Sequence, residues 1–299
     1  MTETWQVDSY ALVVSNLQKV FWPEDHLTKE DMLRYYQTVA PTMLLYLKDR
    51  PVTLRVFPDG IHGFSYYRRD APEHAPTWLR SMDYQPETSE RVIQLPLIDH
   101  AASLLWLANE GAVEFHSWAS CVTNLTQPDV AILDLDPGDQ AAFRDVLQAA
   151  LHVRKAMEAL NLHSYPKTSG GRGIHVYLPL DSGHTFEEVR AWVRVLAERL
   201  ATSYPELIAV AHGATHRGGQ VTIDHAQNSI GRNTAAPYTL RARPGAPVSA
   251  PLTWSEVEAG QMHPLDLTLL TLPERLQKVG DLFAAVLRGG QRLPPWTAE

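Results

Sequence analysis

Apolar positions recur at helical spacing from Met32 through Tyr35, Tyr36, Val39 and Met43, which predicts an amphipathic helix ending near Leu47. Thr28 stands where an N-cap belongs and Asp31 follows three residues on, a near capping box. Beyond it the period drops to two. Residues 51–58 and 63–69 predict a strand pair turning through Asp59-Gly60, and residues 91–97 another strand. Ala and Leu at helical spacing return over 99–110, and strand alternation over 113–120. Residues 130–136 read as a buried strand stopped by Pro137-Gly138. Helices are predicted over 140–160 and 185–202, and strands over 164–169, 173–180, 221–227 and 238–242. Residues 267–287 are mostly helical in pattern, and residues 1–27 show no period and predict irregular chain. Strands and helices mix without regular βαβ alternation, so the expected class is α/β (α+β) with mixed sheets. Pro-rich 243–247 and 293–296 mark a loop and the domain's end rather than a long linker, which favours one unit of two lobes.

With 299 residues, 44% hydrophobic and 20% charged, the chain can bury a sizeable core. No run approaches a membrane span, the N-terminus carries no secretory signal, and Cys121 is the sole cysteine. These features predict a cytoplasmic protein without a disulfide or a cysteine-based zinc site. The net charge of −8 argues against a protein that coats nucleic acid non-specifically.

Charge is sorted along the chain, however. Between Glu206 and Glu256 the only acid is Asp224, amid Arg217, Arg232, Arg241 and Arg243. Between Glu158 and Asp181 there is no acid, but there are His163, Lys167, Arg172 and His175. Two acid-depleted segments around isolated carboxylates point to a polyanion-binding cleft.

Three stretches carry the chemistry. In Val-Ala-Ile-Leu-Asp-Leu-Asp-Pro-Gly, Asp134 and Asp136 lie two apart on a strand and face the same way. Paired carboxylates repel unless protonated or bridged by a cation, and hard oxygen ligands favour Mg²⁺ or Mn²⁺. Asp before Pro-Gly is also ordinary turn chemistry. In Lys-Thr-Ser-Gly-Gly-Arg-Gly-Ile-His, three glycines in four positions allow an anion nest, with Ser169, Arg172 and His175 as added donors. The spacing is not that of a Walker A loop. In Val-Thr-Ile-Asp-His-Ala-Gln-Asn, Asp224 sits on a strand and could complete a set with Asp134 and Asp136. Three carboxylates holding two metals about 3.5–4 Å apart serve nucleotidyl transfer and phosphodiester hydrolysis. The readings alternative to nucleotidyl transfer are therefore a metal-dependent nuclease, which would not need the Ser-Gly-Gly-Arg-Gly loop, and a non-catalytic DNA-end-binding module.

Together with Asn-Leu-Gln-Lys-Val-Phe-Trp-Pro at 16–23 and Ala-Ala-Pro-Tyr-Thr-Leu-Arg-Ala-Arg-Pro-Gly-Ala-Pro-Val at 235–248, these stretches resemble the polymerase domain of bacterial ATP-dependent DNA ligase D, of the archaeo-eukaryotic primase superfamily. The resemblance covers nearly the whole chain. It implies a single primase-polymerase domain over 1–299, two-lobed, with an RRM-like catalytic module. Its parts would be a DNA-binding lobe near 1–125, the catalytic part near 126–250 and a helical part near 251–299. It implies templated addition of NTPs or dNTPs to a DNA 3′ end at a break or short gap with two Mg or Mn ions. Asp134, Asp136 and Asp224 would be the catalytic metal ligands, and His116, Ser169, Arg172, His175, Arg241 and Arg243 would bind the nucleotide. Lys19 and Lys29 would grip a 5′-phosphate, and Tyr66 and Tyr67 would pack on template bases. Arg172 stands where family members often have Lys, and Tyr66/Tyr67 where some have Phe. A Ku-type end-binding protein, a separate ligase and a nucleoid-associated cytoplasmic location are inferred from the family alone. No ligase Lys-x-Asp-Gly motif is present, so a stand-alone polymerase or a fragment is expected.

Overall fold

The computed structural model describes residues 2–86, 89–210 and 218–296, so Arg217 lies outside the described residues. The chain divides into two compact units, one holding 1–118, 233–250 and 265–280, the other 119–232, 251–264 and 281–299.

The first unit opens on a hairpin where irregular chain is expected. Strands β1 (Thr2–Val7) and β2 (Tyr10–Ser15) pair antiparallel, with Asp8 in the left-handed region at the turn. The turn lacks the Asn-Gly or Asp-Gly signal that announces such hairpins, and β1 is exposed along most of its length, with only Val7 buried, so no period-2 pattern marks it. A second hairpin, β3 (Val20–Trp22) with β4 (Leu27–Thr28), feeds α1 (Lys29–Leu47). The capping box is present: Asp31 N–H donates to Thr28 Oγ1, and Thr28 N–H donates to the Asp31 carboxylate.

Strands β5 (Val52–Val56) and β6 (Tyr66–Arg68) pair as the sequence predicts. A short hairpin of β7 (Ser81–Tyr84) and β8 (Ile93–Pro96) then leads to α2 (Ala101–Asn109) and β9 (Ala112–Trp118). Every residue of β9 is buried, and β9 pairs antiparallel with β5. Tyr36 on α1 donates its hydroxyl to Val113 O on β9 and accepts from Leu240 N–H, while Tyr35 donates to Tyr238 O.

In the second unit, β10 (Val130–Pro137) is the central strand. After α3 (Phe143–Ala159) come the hairpin β11 (Tyr165–Thr168) and β12 (Ile174–Pro179), then α4 (Phe186–Ser203), β13 (Ile208–Val210) and β14 (Val221–Asp224). The sheet order is β11-β12-β10-β14-β13, antiparallel except for the β13–β14 pair. Helices α3 and α4 present buried stripes, Val146, Ala149, Ala150, Val153 and Met157 on one, Val189, Trp192, Val193 and Leu196 on the other. The β14 strand is shorter than predicted. Asp224 caps a 3₁₀ turn, His225–Asn228, that ends the pairing.

The chain then returns to the first unit as β15 (Asn233–Ala235), which completes a sheet of order β15-β9-β5-β6. The strand predicted over 238–242 is not formed. Tyr238 lies at a positive φ of 70°, and the segment keeps a single bridge, Leu240 to Val248. In the C-terminal part, α5 (Trp254–Ala259) belongs to the second unit and α6 (Leu272–Val279) to the first. No helix among the described residues is long and apolar enough to cross a membrane.

Candidate active site

In the second unit, antiparallel register builds one polar row across the sheet. Lys167 lies opposite His175, His175 opposite Asp134, and Asp134 opposite Asp224. Cross-strand partners share a face, so four chemistry-bearing side chains stand side by side, with Asp136 two residues along on the same face. The neighbouring rows are apolar: Leu133 opposite Val176, and Leu135 between Ile174 and Ile223. The reversal of polarity between faces is what the Leu-Asp-Leu-Asp alternation dictates.

His175 Nε2 lies 3.2 Å from Asp134 Oδ1, and Ala226 N–H donates to Asp224 Oδ1 at 2.8 Å. Asn228, almost fully buried, clamps the middle of β10: its amide donates to Ile132 O at 2.7 Å and accepts from Ile132 N–H at 2.8 Å. Asn228 therefore carries the sheet's hydrogen bonding past the end of β14 and fixes the strand that bears Asp134.

The donor set fits a divalent cation in kind and placement. Two carboxylates oppose each other on adjacent strands and a third lies on the same face, the hard oxygen chemistry Mg²⁺ and Mn²⁺ take. Among the described residues no three acidic, cysteine or histidine side chains form a ligand cluster; Asp224 accepts from its capping N–H and Asp134 faces His175.

The glycine-rich loop between β11 and β12 is organised from within. Ser169 Oγ accepts from both Gly171 N–H and Gly173 N–H at 3.1 Å, so these amides serve the turn rather than an open anion nest. Gly170 has φ of 68°. A Cβ on Gly173 would lie 2.5 Å from Leu135 O and 3.1 Å from Asp136 Oδ1, so only glycine brings this loop against the carboxylate strand. Arg172 is half-exposed and donates to the carbonyls of Gly138 and Ala141, just past β10. Lys167, which opens this glycine-rich stretch, is fully buried on β11.

The first unit carries its own charged row. On the sheet, Tyr67 lies opposite Arg55 and Arg55 opposite Glu114, with His116 two residues from Glu114 on the same face. Glu114 is the centre. Its side chain is 1% exposed, and it accepts from His116 Nε2 at 2.9 Å and from Ala242 N–H at 3.0 Å. Arg241 Nε lies 3.2 Å away and Arg55 NH1 3.6 Å. Burial pushes the Glu114 carboxyl up, but the His116 hydrogen bond, the Arg241 charge and the Ala242 N–H more than reverse this and hold it at about 2. Burial lowers the His116 imidazole, and the flanking arginines reinforce that against the pull of Glu114. Because Arg241 and Arg55 already supply the countercharge, His116 donates to Glu114 as a neutral ring. Sequence reading missed Glu114. Arg243 is exposed in the turn after Arg241.

Lys19 and Lys29 come together through the β3–β4 hairpin, where Lys29 N–H donates to Lys19 O at 2.8 Å. Lys19 pairs with Asp59 and donates to Pro58 O at 2.7 Å. Lys29 is not the exposed lysine its helical position suggests: it is buried and donates to Ser15 O at 2.8 Å. Burial draws its ammonium down to about 8, with Glu110 opposing and Lys19 adding to the shift. Tyr66 and Tyr67 alternate on β6, yet neither enters the core. Tyr66 is half-buried, with Phe64 stacked 5.7 Å away and Arg68 over its ring. Tyr67 is 61% exposed, edge-on to His116 at 6.0 Å.

Residues 28–283 match the family model described as LigD, primase-polymerase domain. The chain belongs to the LigD primase-polymerase family. It is 30% identical over 284 residues to the bifunctional non-homologous end joining protein LigD of Bacillus subtilis, covering 95% of this chain and 45% of that protein. It is 30% identical over 285 residues to the multifunctional LigD protein of Mycolicibacterium smegmatis, covering 94% and 37%. It therefore spans less than half the length of these curated relatives. The solved polymerase domain of Mycobacterium tuberculosis ligase D in complex with DNA superposes with a TM-score of 0.86 at 28% identity, over 94% of this chain and 99% of that one. Membership of this family makes the chain a DNA-directed nucleotidyltransferase of mixed α/β fold and places it in a class whose chemistry depends on metal.

Proposed function

We propose that the chain adds nucleotides, NTP or dNTP, to a DNA 3′ end under direction of a template strand, at breaks or short gaps during end joining. The observation that carries this reading is the register that sets Asp134 between His175 and Asp224 on one sheet face. Asp134, Asp136 and Asp224 would hold Mg or Mn ions, which when bound lower the barrier to attack by the 3′-hydroxyl and neutralise the triphosphate. His175, beside Asp134, offers an N–H donor to phosphate oxygens. Ser169 keeps the loop in place through Gly171 and Gly173, and Arg172, exposed at its tip, supplies a guanidinium.

In the first unit, His116, Arg241 and Arg243 serve the nucleotide, Glu114 holding His116 and Arg241 in register. Lys19 and Lys29 grip a 5′-phosphate, and Tyr66 and Tyr67 offer ring faces to template bases. DNA is the partner of the solved ligase D polymerase domain. The same partner is assigned to this chain, with a Ku-type end-binding protein and a ligase as further partners at the nucleoid.

Primer extension on a gapped duplex carrying a 5′-phosphate, with NTPs and dNTPs offered separately under Mg²⁺ or Mn²⁺, tests this reading. Templated addition that needs the metal and vanishes in Asp134→Ala, with DNA binding retained, is expected. Primer shortening instead of extension would overturn it in favour of a nuclease. Intact DNA with binding retained would leave an end-binding module.

A further inference from the structure

Lys167 has no exposure to solvent, yet it carries an amino group into the sheet beside the carboxylate face. Its Nζ lies 2.8 Å from His175 Nδ1 and 5.5 Å from the centre of the Tyr177 ring. An ammonium has three donors and no acceptor. Opposite it, Nδ1 must present a lone pair, so the imidazole is neutral and its proton sits on Nε2. Nε2 is the nitrogen that faces Asp134, at 3.2 Å from Oδ1. The cross-strand register places Lys167, His175 and Asp134 in one row, so this order follows from the sheet itself and not from a loop.

We propose that Lys167 is a positioning residue that acts through His175. It fixes the ring as the Nε2–H tautomer and holds its plane, so the incoming triphosphate meets a preset N–H donor beside the carboxylates. This rests on the reading of His175 as a triphosphate contact. Lys167 itself does not touch the nucleotide, because its side chain has no exposure to solvent.

Histidine-selective ¹⁵N labelling with long-range ¹H–¹⁵N correlation reads the tautomer directly, the His175 signals being assigned as those lost in His175→Gln. In the wild-type protein the assigned ring should show an unprotonated Nδ1 and a protonated Nε2. A protonated Nδ1 overturns the proposal, and this measurement needs neither a Lys167 variant nor any polymerase activity. In Lys167→Met, which keeps the length and apolar stem, the single-tautomer signature should give way to a mixture. On a gap with a templating dT, the KM for ATP should rise about 10- to 100-fold, the loss of one hydrogen bond to a charged group. The change in kcat should be smaller, and affinity for the gapped DNA unchanged. Lys167→Arg should recover much of the tautomer signature and the KM. A Lys167→Met protein that keeps the Nε2–H tautomer, or that loses it with no change in KM, refutes the positioning role. Failure of the polymerase reading shows itself separately, as no templated addition by the wild type.

Discussion

Replacing Glu114 with glutamine removes one negative charge from the point where His116, Arg241, Arg55 and the Ala242 N–H converge, and changes almost nothing in volume. Holding that carboxyl at about 2 rather than at its ordinary 4.5 corresponds to roughly 3 kcal/mol of folded-state stability. Removing one partner of a buried ion pair costs about 3–5 kcal/mol, and the retained amide oxygen can still accept one hydrogen bond, so about 3 kcal/mol is expected. The sign follows from linkage. A carboxyl depressed in the folded state contributes fully above its unfolded value of 4.5, and the contribution fades as pH falls from 4.5 towards 2. Urea denaturation of the wild type and Glu114→Gln should therefore differ by about 3 kcal/mol at pH 7 and by about half that at pH 3. Nucleotide KM should rise in the variant, because His116 and Arg241 lose the group that holds them in register. A difference at pH 7 below about 0.5 kcal/mol, with an unchanged KM, would refute the claim that Glu114 organises this face.

Three other perturbations test separate parts of the molecule. Gly173→Ala drives a methyl towards Leu135 O, and should cost about 1–3 kcal/mol in thermal denaturation while weakening nucleotide binding. Lys29 sits near 8, and a phosphate dianion favours its charged form. The preference for 5′-phosphorylated over hydroxyl gaps, measured by fluorescence anisotropy, should therefore fall as pH rises above 8, and Lys29→Met should abolish that pH dependence. Tyr67→Ala removes an exposed ring and should weaken binding to template overhangs by about 1–3 kcal/mol, with folding stability changed little; equal affinity on a titration would count against the base platform.

The second unit's chemistry was legible because it is local. Leu-Asp-Leu-Asp alternation before Pro-Gly announces a strand with one acidic face, and glycines flanked by Ser, Arg and His announce a close-approach loop. Register then supplies what alternation alone cannot, the pairing of Asp134 with both His175 and Asp224. Glu114 was hidden because it reads as one more polar position on an alternating strand. Its partners arrive from β5 and from Ala242, 128 positions further on. Lys167 is the opposite case: a lysine beside a glycine loop suits a phosphate donor, but register holds this one fully buried against His175. The segment 238–242 carries β-formers, yet Tyr35 and Tyr36 on α1 capture its backbone groups and the chain bends at Tyr238.

The two polar faces solve one electrostatic problem with opposite signs. A face that is to receive a phosphate-bearing ligand must gather cations, and one that is to receive metal must gather carboxylates. Either set repels itself while the ligand is away. In the first unit, Arg55, Arg241 and His116 are drawn together around a buried anion, Glu114. In the second unit, Asp134, Asp136 and Asp224 share their sheet face with the buried Lys167 amino group, which reaches Asp134 through His175. In each case the compensating group is buried, where water screens it little, and a histidine lies directly beside it. Preorganisation of this kind moves the cost of assembling like charges from the binding step to folding, where the packing of the whole sheet offsets it. Loss of either buried charge should therefore be felt in two places, in stability without ligand and in ligand affinity. Loss of an exposed ring such as Tyr67 should be felt mainly in affinity.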